Sequence, residues 1–236
     1  MARTPIWKSI AATLSGEIGD GLYLPGDKLP TEAQLAARFG VNRHTVRHAL
    51  SDLVDRALVH TRRGAGAFVA QTPTDYPIGK RVRFHQNVAA AGRAPAKQVL
   101  ALETRLASPA ERGALGLGSA DRVHAYDGLS LADGQPIALF QSAFPAARFA
   151  SLPDALRASG SVTAALRAAG VADYTRASTR LTAKAANATQ ALHLRIAEGA
   201  PILRSVGVNV DGDGQPVEYG RTWFAGDRVT LTLGDD

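Results

Sequence analysis

Residues 31–53 constrain the fold more tightly than any other stretch of this chain. Thr31 followed by Gln34 has the capping-box pattern, in which a side-chain oxygen and a reciprocal amide satisfy backbone N–H groups at a helix start. Leu35, Ala36 and Phe39 give the short helix an apolar face, and Gly40 ends it. Asn42 then caps a second helix, in which Val46, Leu50 and Leu53 stand at i, i+4 and i+7 and face a core. Two amphipathic helices joined by so tight a turn form one compact supersecondary unit.

The polar face of the second helix carries chemistry. Arg43 and Arg47 are i, i+4 neighbours, with His44 and Thr45 beside them in the first turn. A first turn of this kind reaches base edges in the DNA major groove. Arginine can pair bidentately with guanine there, and backbone amides at the helix start favour phosphate. Upstream, Thr4-Pro5 opens a helix with Ile6, Ile10, Leu14 and Ile18 in one stripe, and Gly19, Gly21, Pro25 and Gly26 break the chain after it. Downstream, Leu58 to Arg62 and Ala67-Phe68-Val69 flank the turn Arg63-Gly64-Ala65-Gly66, a two-stranded wing. Gly64 and Gly66 let its tip approach a backbone closely, and Arg62 and Arg63 supply charge. The net charge is +6, and between residues 38 and 63 six arginines face only Asp52 and Asp55. A small helical domain with solvated arginines is the rival reading, and the order of elements weighs against it. The expected DNA-contacting set is Arg43, His44, Thr45, Arg47, Arg62, Arg63, Gly64 and Gly66, with double-stranded DNA as partner.

With 236 residues, one or two domains are expected. No apolar run approaches the roughly 20 residues of a membrane span. Lys8, Ser9 and Glu17 interrupt the N-terminal stretch that a signal peptide would need, so a cytoplasmic protein is expected. The absence of cysteine excludes disulfides, a thiol nucleophile and a zinc–thiolate site. No cofactor and no metal are expected.

Residues 1–70 read as the winged helix-turn-helix, and 71–79, polar and punctuated by Pro73 and Pro77, as a linker. Residues 80–236 read as a second domain that mixes strands (Val99–Glu103, Arg176–Ala183) with short helices started by Ser108, Ser161 and Asn187. Asp133-Gly134-Gln135-Pro136-Ile137 recurs as Asp213-Gly214-Gln215-Pro216-Val217, and Phe144 and Phe224 follow at equal distance. Asp-Gly between apolar runs is a hairpin signal. Two related hairpins suggest a pseudo-symmetric, mainly antiparallel sheet, unless the same favourable turn chemistry is simply used twice. The fold class is thus α+β.

The segment PGDKLPTEAQLAARFGVNRHTVRHALSDLVDRALVHTRRGAGAFV resembles the GntR-type winged helix-turn-helix nearly position for position. That resemblance implies operator contacts from Arg43, His44 and Arg47 on the recognition helix and from Arg63 and Gly64 on the wing. Ala33 stands where some relatives carry a DNA-contacting arginine. The second domain resembles the UTRA effector domain of the HutC branch, whose fold is similar to chorismate lyase. DYPIGKRVRFHQNV, STRLTAK and PVEYGRTWFAGDRVTLT most resemble the phosphonate-metabolism regulators. A single short recognition helix reads few base pairs, so a homodimer on a palindromic operator is expected, and the likeness implies a repressor of phosphonate genes.

A phosphonate or phosphate ester as the small anionic effector would need cations and hydroxyl or amide donors. Arg83 beside His85 is the leading candidate, since the family places effector contacts near this element. Ser161 and Thr163 offer hydroxyls at a helix start, Glu218 could take an amino group of the ligand, and Arg180 or Arg221 could add positive charge. Sugar-phosphate-sensing relatives use arginines on the strand before the first Asp-Gly turn. Here that stretch is Gly128-Leu129-Ser130, which weighs against a sugar phosphate. A sugar phosphate, an amino acid or another carboxylate remains the alternative ligand. A chorismate-lyase-like enzyme using His85 or His124 as base is a remote rival, because no nucleophile triad, metal cluster or phosphate loop accompanies them. A nonspecific architectural DNA binder would show neither operator preference nor ligand response.

Overall fold

The computed structural model describes residues 5–62, 64–70, 73–81 and 83–233, with only the backbone at Arg62. Thr4, Arg63, the Arg62 side chain and the linker residues Gln71 and Thr72 lie outside the described residues. The chain divides into two compact units, Met1–Thr72 and Pro73–Asp236.

In the first unit, α1 (Ile6–Gly19) buries Ile10, Ala11 and Leu14, while Ile6 at its head stays exposed. At the start of α2 (Glu32–Phe39) the capping box is complete. Thr31 Oγ1 accepts from the Gln34 N–H at 3.3 Å, and Gln34 Oε1 accepts from the Thr31 N–H at 2.8 Å. Gly40 ends the helix at φ 63°, a left-handed conformation that costs glycine little. Asn42 starts α3 (Arg43–Asp55) by accepting from the Thr45 N–H at 2.9 Å, and Val46, Ala49, Leu50 and Leu53 line its buried face. The wing follows as β1 (Val59–Arg62) and β2 (Gly66–Val69), antiparallel with Arg62 opposite Gly66. Leu14, Leu29, Leu35, Val46, Leu53, Val59 and Val69 close one core beneath these elements.

The second unit begins with β3 (Thr74–Pro77), a strand inside what was expected to be linker. It runs parallel to β10 (Val229–Thr232), and Thr74 and Tyr76 point inward. The stretch reads as polar because Asp75 and Pro77 occupy the alternate, outward positions. After α4 (Phe84–Ala90) comes a repeated module. Its first copy is β4 (Pro95–Leu106), α5 (Pro109–Leu115), β5 (Arg122–Ala132) and β6 (Gln135–Pro145). Two helices, α6 (Leu152–Ser159) and α7 (Val162–Ala168), intervene. The second copy is β7 (Tyr174–Ala185), α8 (Ala188–Leu194), β8 (Pro201–Asp211) and β9 (Pro216–Ala225).

The six-stranded antiparallel sheet has the order β4-β5-β6-β9-β8-β7, so each half is the other rotated about an axis between β6 and β9. The repeated sequence signals therefore mark a structural duplication. Capping boxes at Ser108/Glu111 and Asn187/Gln190 start the equivalent helices α5 and α8. Gly116 and Arg195, both left-handed, end them. The hairpins differ at one point. Asp133 and Gly134 both have positive φ, the two-residue primed turn. The second turn carries one more residue, and there Gly214, unlike Asp213, has positive φ. Buried Arg228 donates to the carbonyls of Pro136, Leu194 and Arg195, tying the end of α8 to the start of β6.

Candidate functional site

On the first unit, Arg43 and His44 are exposed at the start of α3 and make no hydrogen bond or ion pair among the described residues. Thr45 is anchored differently, its hydroxyl donating to Asn42 Oδ1 at 3.0 Å. Arg47 is held by Glu32 of α2, its Nε and Nη2 donating to the two carboxylate oxygens at 3.1 and 2.8 Å. That pair keeps the Glu32 carboxyl below its ordinary range, with smaller help from the charges of Arg43 and His44. Glu32 thus takes the Nε–Nη2 edge of Arg47 and leaves the Nη1–Nη2 edge free for an end-on guanine fork. Sequence reasoning missed Glu32, although it sits inside the LPTE element. In the wing, Gly64 has φ 74° with open space where a Cβ would stand, so the backbone conformation is what calls for glycine. At Gly66 (φ 106°) a Cβ would also meet the Lys28 side chain at 3.1 Å.

In the second unit a cavity of about 360 Å³ lies over one face of the sheet. Its origin is the duplication. In the first copy Phe140 pairs with Gly128, and a Cβ on Gly128 would stand 2.7 Å from the Phe140 ring, so the ring lies over the glycine. At the matching place in the second copy Gly220 pairs with Gly207, and Ser205 replaces the buried Tyr126. Small residues stand where the first copy has rings; Arg176 covers Gly207, and the floor over Gly220 is left open.

The structure brings Arg83, His85, Ser161, Thr163 and Glu218 together around this cavity. Arg83 is buried. Its Nη2 donates to Asp173 Oδ1 and to the Tyr174 carbonyl, both at 2.8 Å, and its guanidinium stacks 3.6 Å from the Tyr174 ring centroid. Its Nη1, equally buried, has no hydrogen-bond partner, and an unpartnered buried donor is costly. Ser161 Oγ accepts from the Ala164 N–H at 3.3 Å, and Thr163 shares a hydrogen bond with the Tyr174 hydroxyl at 2.9 Å. Both Glu218 oxygens are engaged at 2.6 Å, one by the Ser142 hydroxyl and one by the Asn209 amide. Desolvation and then the charge of Lys97 push the His85 imidazolium below its usual range.

Arg180 and Arg221 are not at this site. Both pair with Val206, while their neighbours Gly207 and Gly220 line the cavity. Strand side chains alternate, so both arginines project from the opposite face. The one-residue register of a strand decides this, and sequence motifs do not display it.

The cavity has cations that sequence reasoning overlooked. Arg176 donates from Nε to Asn209 Oδ1 at 2.8 Å and lies over Gly207, while Lys97 and Arg167 also line the wall. Lys97 of β4 reaches over the Phe140 ring at 4.6 Å, with Phe84 and Tyr126 each at 5.7 Å. Burial, only partly offset by Glu218, lowers its ammonium to about 8. The available signal was weak: a single lysine at an inward position of a strand. Among the described residues there is no His, Asp or Glu cluster that could hold a metal, and no helix is long and apolar enough to cross a membrane.

Comparison with known proteins matches residues 7–69 to the bacterial regulatory proteins of the gntR family and residues 90–230 to the UTRA domain. An uncharacterised HTH-type transcriptional regulator of Rhizobium meliloti is 37% identical over 97% of this chain and 94% of its own length. The Escherichia coli protein described as "Probable transcriptional regulator PhnF" is 34% identical over 96% of this chain and 94% of its own. The crystal structure of PhnF from Mycobacterium smegmatis superposes with a TM-score of 0.65 at 27% identity, covering 96% of this chain and 99% of that one. These relatives are regulators, which sets the enzyme alternative aside. The chain belongs to the GntR family, joins that family's helix-turn-helix domain to a UTRA domain, and is a transcription regulator of the HutC type.

Proposed function

We propose that this regulator represses phosphonate uptake or utilisation genes and that a phosphonate or related phosphate ester binds the cavity of the second unit. The observation that carries this reading is the buried, unpartnered Nη1 of Arg83 at a cavity also lined by Lys97, Arg167 and Arg176. Cationic donors that lack a protein acceptor favour a ligand with tetrahedral anionic oxygens. The resemblance of DYPIGKRVRFHQNV, STRLTAK and PVEYGRTWFAGDRVTLT to phosphonate-metabolism regulators supports the same ligand class.

The regulator acts as a homodimer on a two-fold symmetric operator, because one short recognition helix reads few base pairs and two across a dyad multiply the discrimination. Arg43, His44 and the wing arginines face DNA. Arg47, held from its Nε side by Glu32, presents its remaining guanidinium donors to base or phosphate. Arg83 immediately precedes α4 and follows β3, the first element after the linker. A ligand that draws on Arg83 therefore acts on the segment that enters the linker. It can shift operator affinity only by its own difference in affinity for the two conformations, and a useful switch needs roughly 1–3 kcal/mol of coupling.

The test is operator binding of the full chain titrated against a phosphonate panel, with calorimetry for direct binding. A roughly 5- to 150-fold change in operator affinity with at least one phosphonate is expected. Heat from sugar phosphates or carboxylates, with none from any phosphonate, would overturn the ligand class. A monomer in sedimentation, both free and on a minimal palindrome, would overturn the dimer.

A further inference from the structure

We infer that the Lys97 ammonium forms a second anion subsite of the cavity, so that the effector carries an anionic group at each end. This rests on reading the cavity as the effector site. Four observations lead to it.

The first is that Lys97 has unfilled donors. Its Nζ makes no hydrogen bond and no ion pair among the described residues, and its neighbours are the rings of Phe84, Tyr126 and Phe140. Ring faces attract a cation but accept none of its three N–H groups in place of an oxygen. The second is position. Lys97 enters from edge strand β4, and Phe140, under its ammonium, lies over Gly128 of β5. Arg176 enters from the opposite edge strand, β7, and lies over Gly207 of β8. β5 and β8 stand three strands apart in the sheet, roughly 14 Å at the usual strand spacing. Lys97 and the Arg83–Arg176 group therefore serve opposite ends of the cavity.

The third is the state of Glu218. As the carboxylate nearest Lys97 it could have neutralised it, or received an amino group of the ligand. Both its oxygens already accept from Ser142 and Asn209. Each oxygen keeps about one further acceptor site, and a ligand amine that reached it would meet the Lys97 charge. The fourth is the charge balance of the wall. Arg83 shares Asp173 with Arg81, and Lys97, Arg167 and Arg176 face Glu218 alone among the lining residues. A dianion or trianion restores neutrality, whereas a zwitterion leaves the excess.

The groups facing Lys97 are Glu218 from β9 and His85 from α4, and burial holds the ammonium at about 8. An anion bound beside it raises that value, so binding takes up protons. At pH 8 about half of the Lys97 side chains are neutral beforehand, and uptake approaches half a proton per ligand. At pH 6 uptake at Lys97 is close to zero.

The experiment is calorimetry on the full chain with phosphonoacetate, ethylphosphonate, 2-aminoethylphosphonate and succinate. Each is run in two buffers of different ionisation heat, on the native protein and on Lys97→Met, with thermal melting as the check on folding. Phosphonoacetate is expected to bind at least tenfold more tightly than ethylphosphonate or 2-aminoethylphosphonate, with proton uptake at pH 8. Lys97→Met should erase both the advantage and the uptake while leaving ethylphosphonate binding within about threefold. Equal binding of phosphonoacetate and ethylphosphonate, a preference for the amine, or an advantage that survives Lys97→Met would overturn the subsite and leave the phosphonate reading standing. Lys97-dependent binding of succinate with no phosphonate bound would do the reverse. If none of the four probes binds, both readings fall.

Discussion

Gly220→Val offers a direct test of why the cavity exists. A Cβ at Gly220 meets only Glu218 Oε1, at 3.7 Å, which is ordinary contact, and the residue is not in the left-handed region. Replacing an interior strand glycine by a β-branched residue recovers about 0.5–1 kcal/mol of lost chain entropy and strand preference. In a unit of this size that corresponds to a rise in Tm of about 1–4 °C. The glycines on the same face of the sheet behave oppositely. A Cβ at Gly128 would stand 2.5 Å from the Gln98 carbonyl and 2.7 Å from the Phe140 ring. One at Gly207 would stand 2.8 Å from the Ser178 carbonyl and collide with the Arg176 guanidinium. Gly128→Ala and Gly207→Ala should each cost roughly 1–3 kcal/mol, because backbone must move to make room. Calorimetric melting of the three variants gives the contrast, and operator binding without effector should be unchanged in Gly220→Val. The same variant should lose its effector response, because the valine methyl groups fill the open cavity space over Gly220. If Gly220→Val destabilises as much as Gly128→Ala, the floor is not open and the account of the cavity is wrong.

Other outcomes follow from the same geometry. Arg43→Ala should cost roughly 1–3 kcal/mol of specific operator binding in anisotropy titrations, and equal affinity at moderate salt would misplace the docking face. Arg63→Ala should weaken binding with little change in sequence preference and a shallower salt slope. Asn42→Ala should lower the stability of the first unit by about 0.5–2 kcal/mol, read by chemical denaturation, since the Thr45 N–H loses its cap. Arg105 and the Ser108 N–H hold Glu111 at about 2, below its value in the unfolded chain. Its stabilisation is present above the unfolded value and is lost as pH falls through the folded one. Glu111→Gln should therefore cost about 1–2 kcal/mol at pH 7, allowing for the half-exposed Arg105, and progressively less between pH 5 and pH 2.

The sequence by itself determined whatever is local or periodic. Thr31/Gln34, Asn42, Ser108/Glu111 and Asn187/Gln190 fix helix starts because a cap bonds within three residues of itself. Val46, Leu50 and Leu53 fix which face of α3 is buried, and so expose Arg43 and His44. The repeated Asp-Gly-Gln-Pro turns even disclosed the duplication of the sheet. Only the tertiary structure decided what depends on register and on distant partners. Arg180 and Arg221 stood behind Arg83 as additional cations, but strand alternation sends them to the other face. Asp75 and Pro77 disguised a strand whose partner, β10, lies at the far end of the chain. Glu32 holds Arg47, and Lys97 enters the cavity, through contacts that no local pattern encodes. The cavity itself arises from a difference between two copies, Phe140 over Gly128 in one and Gly220 beside Gly207 in the other. Empty space is a property of packing between strands, and single residues acquire it only once their neighbours are set.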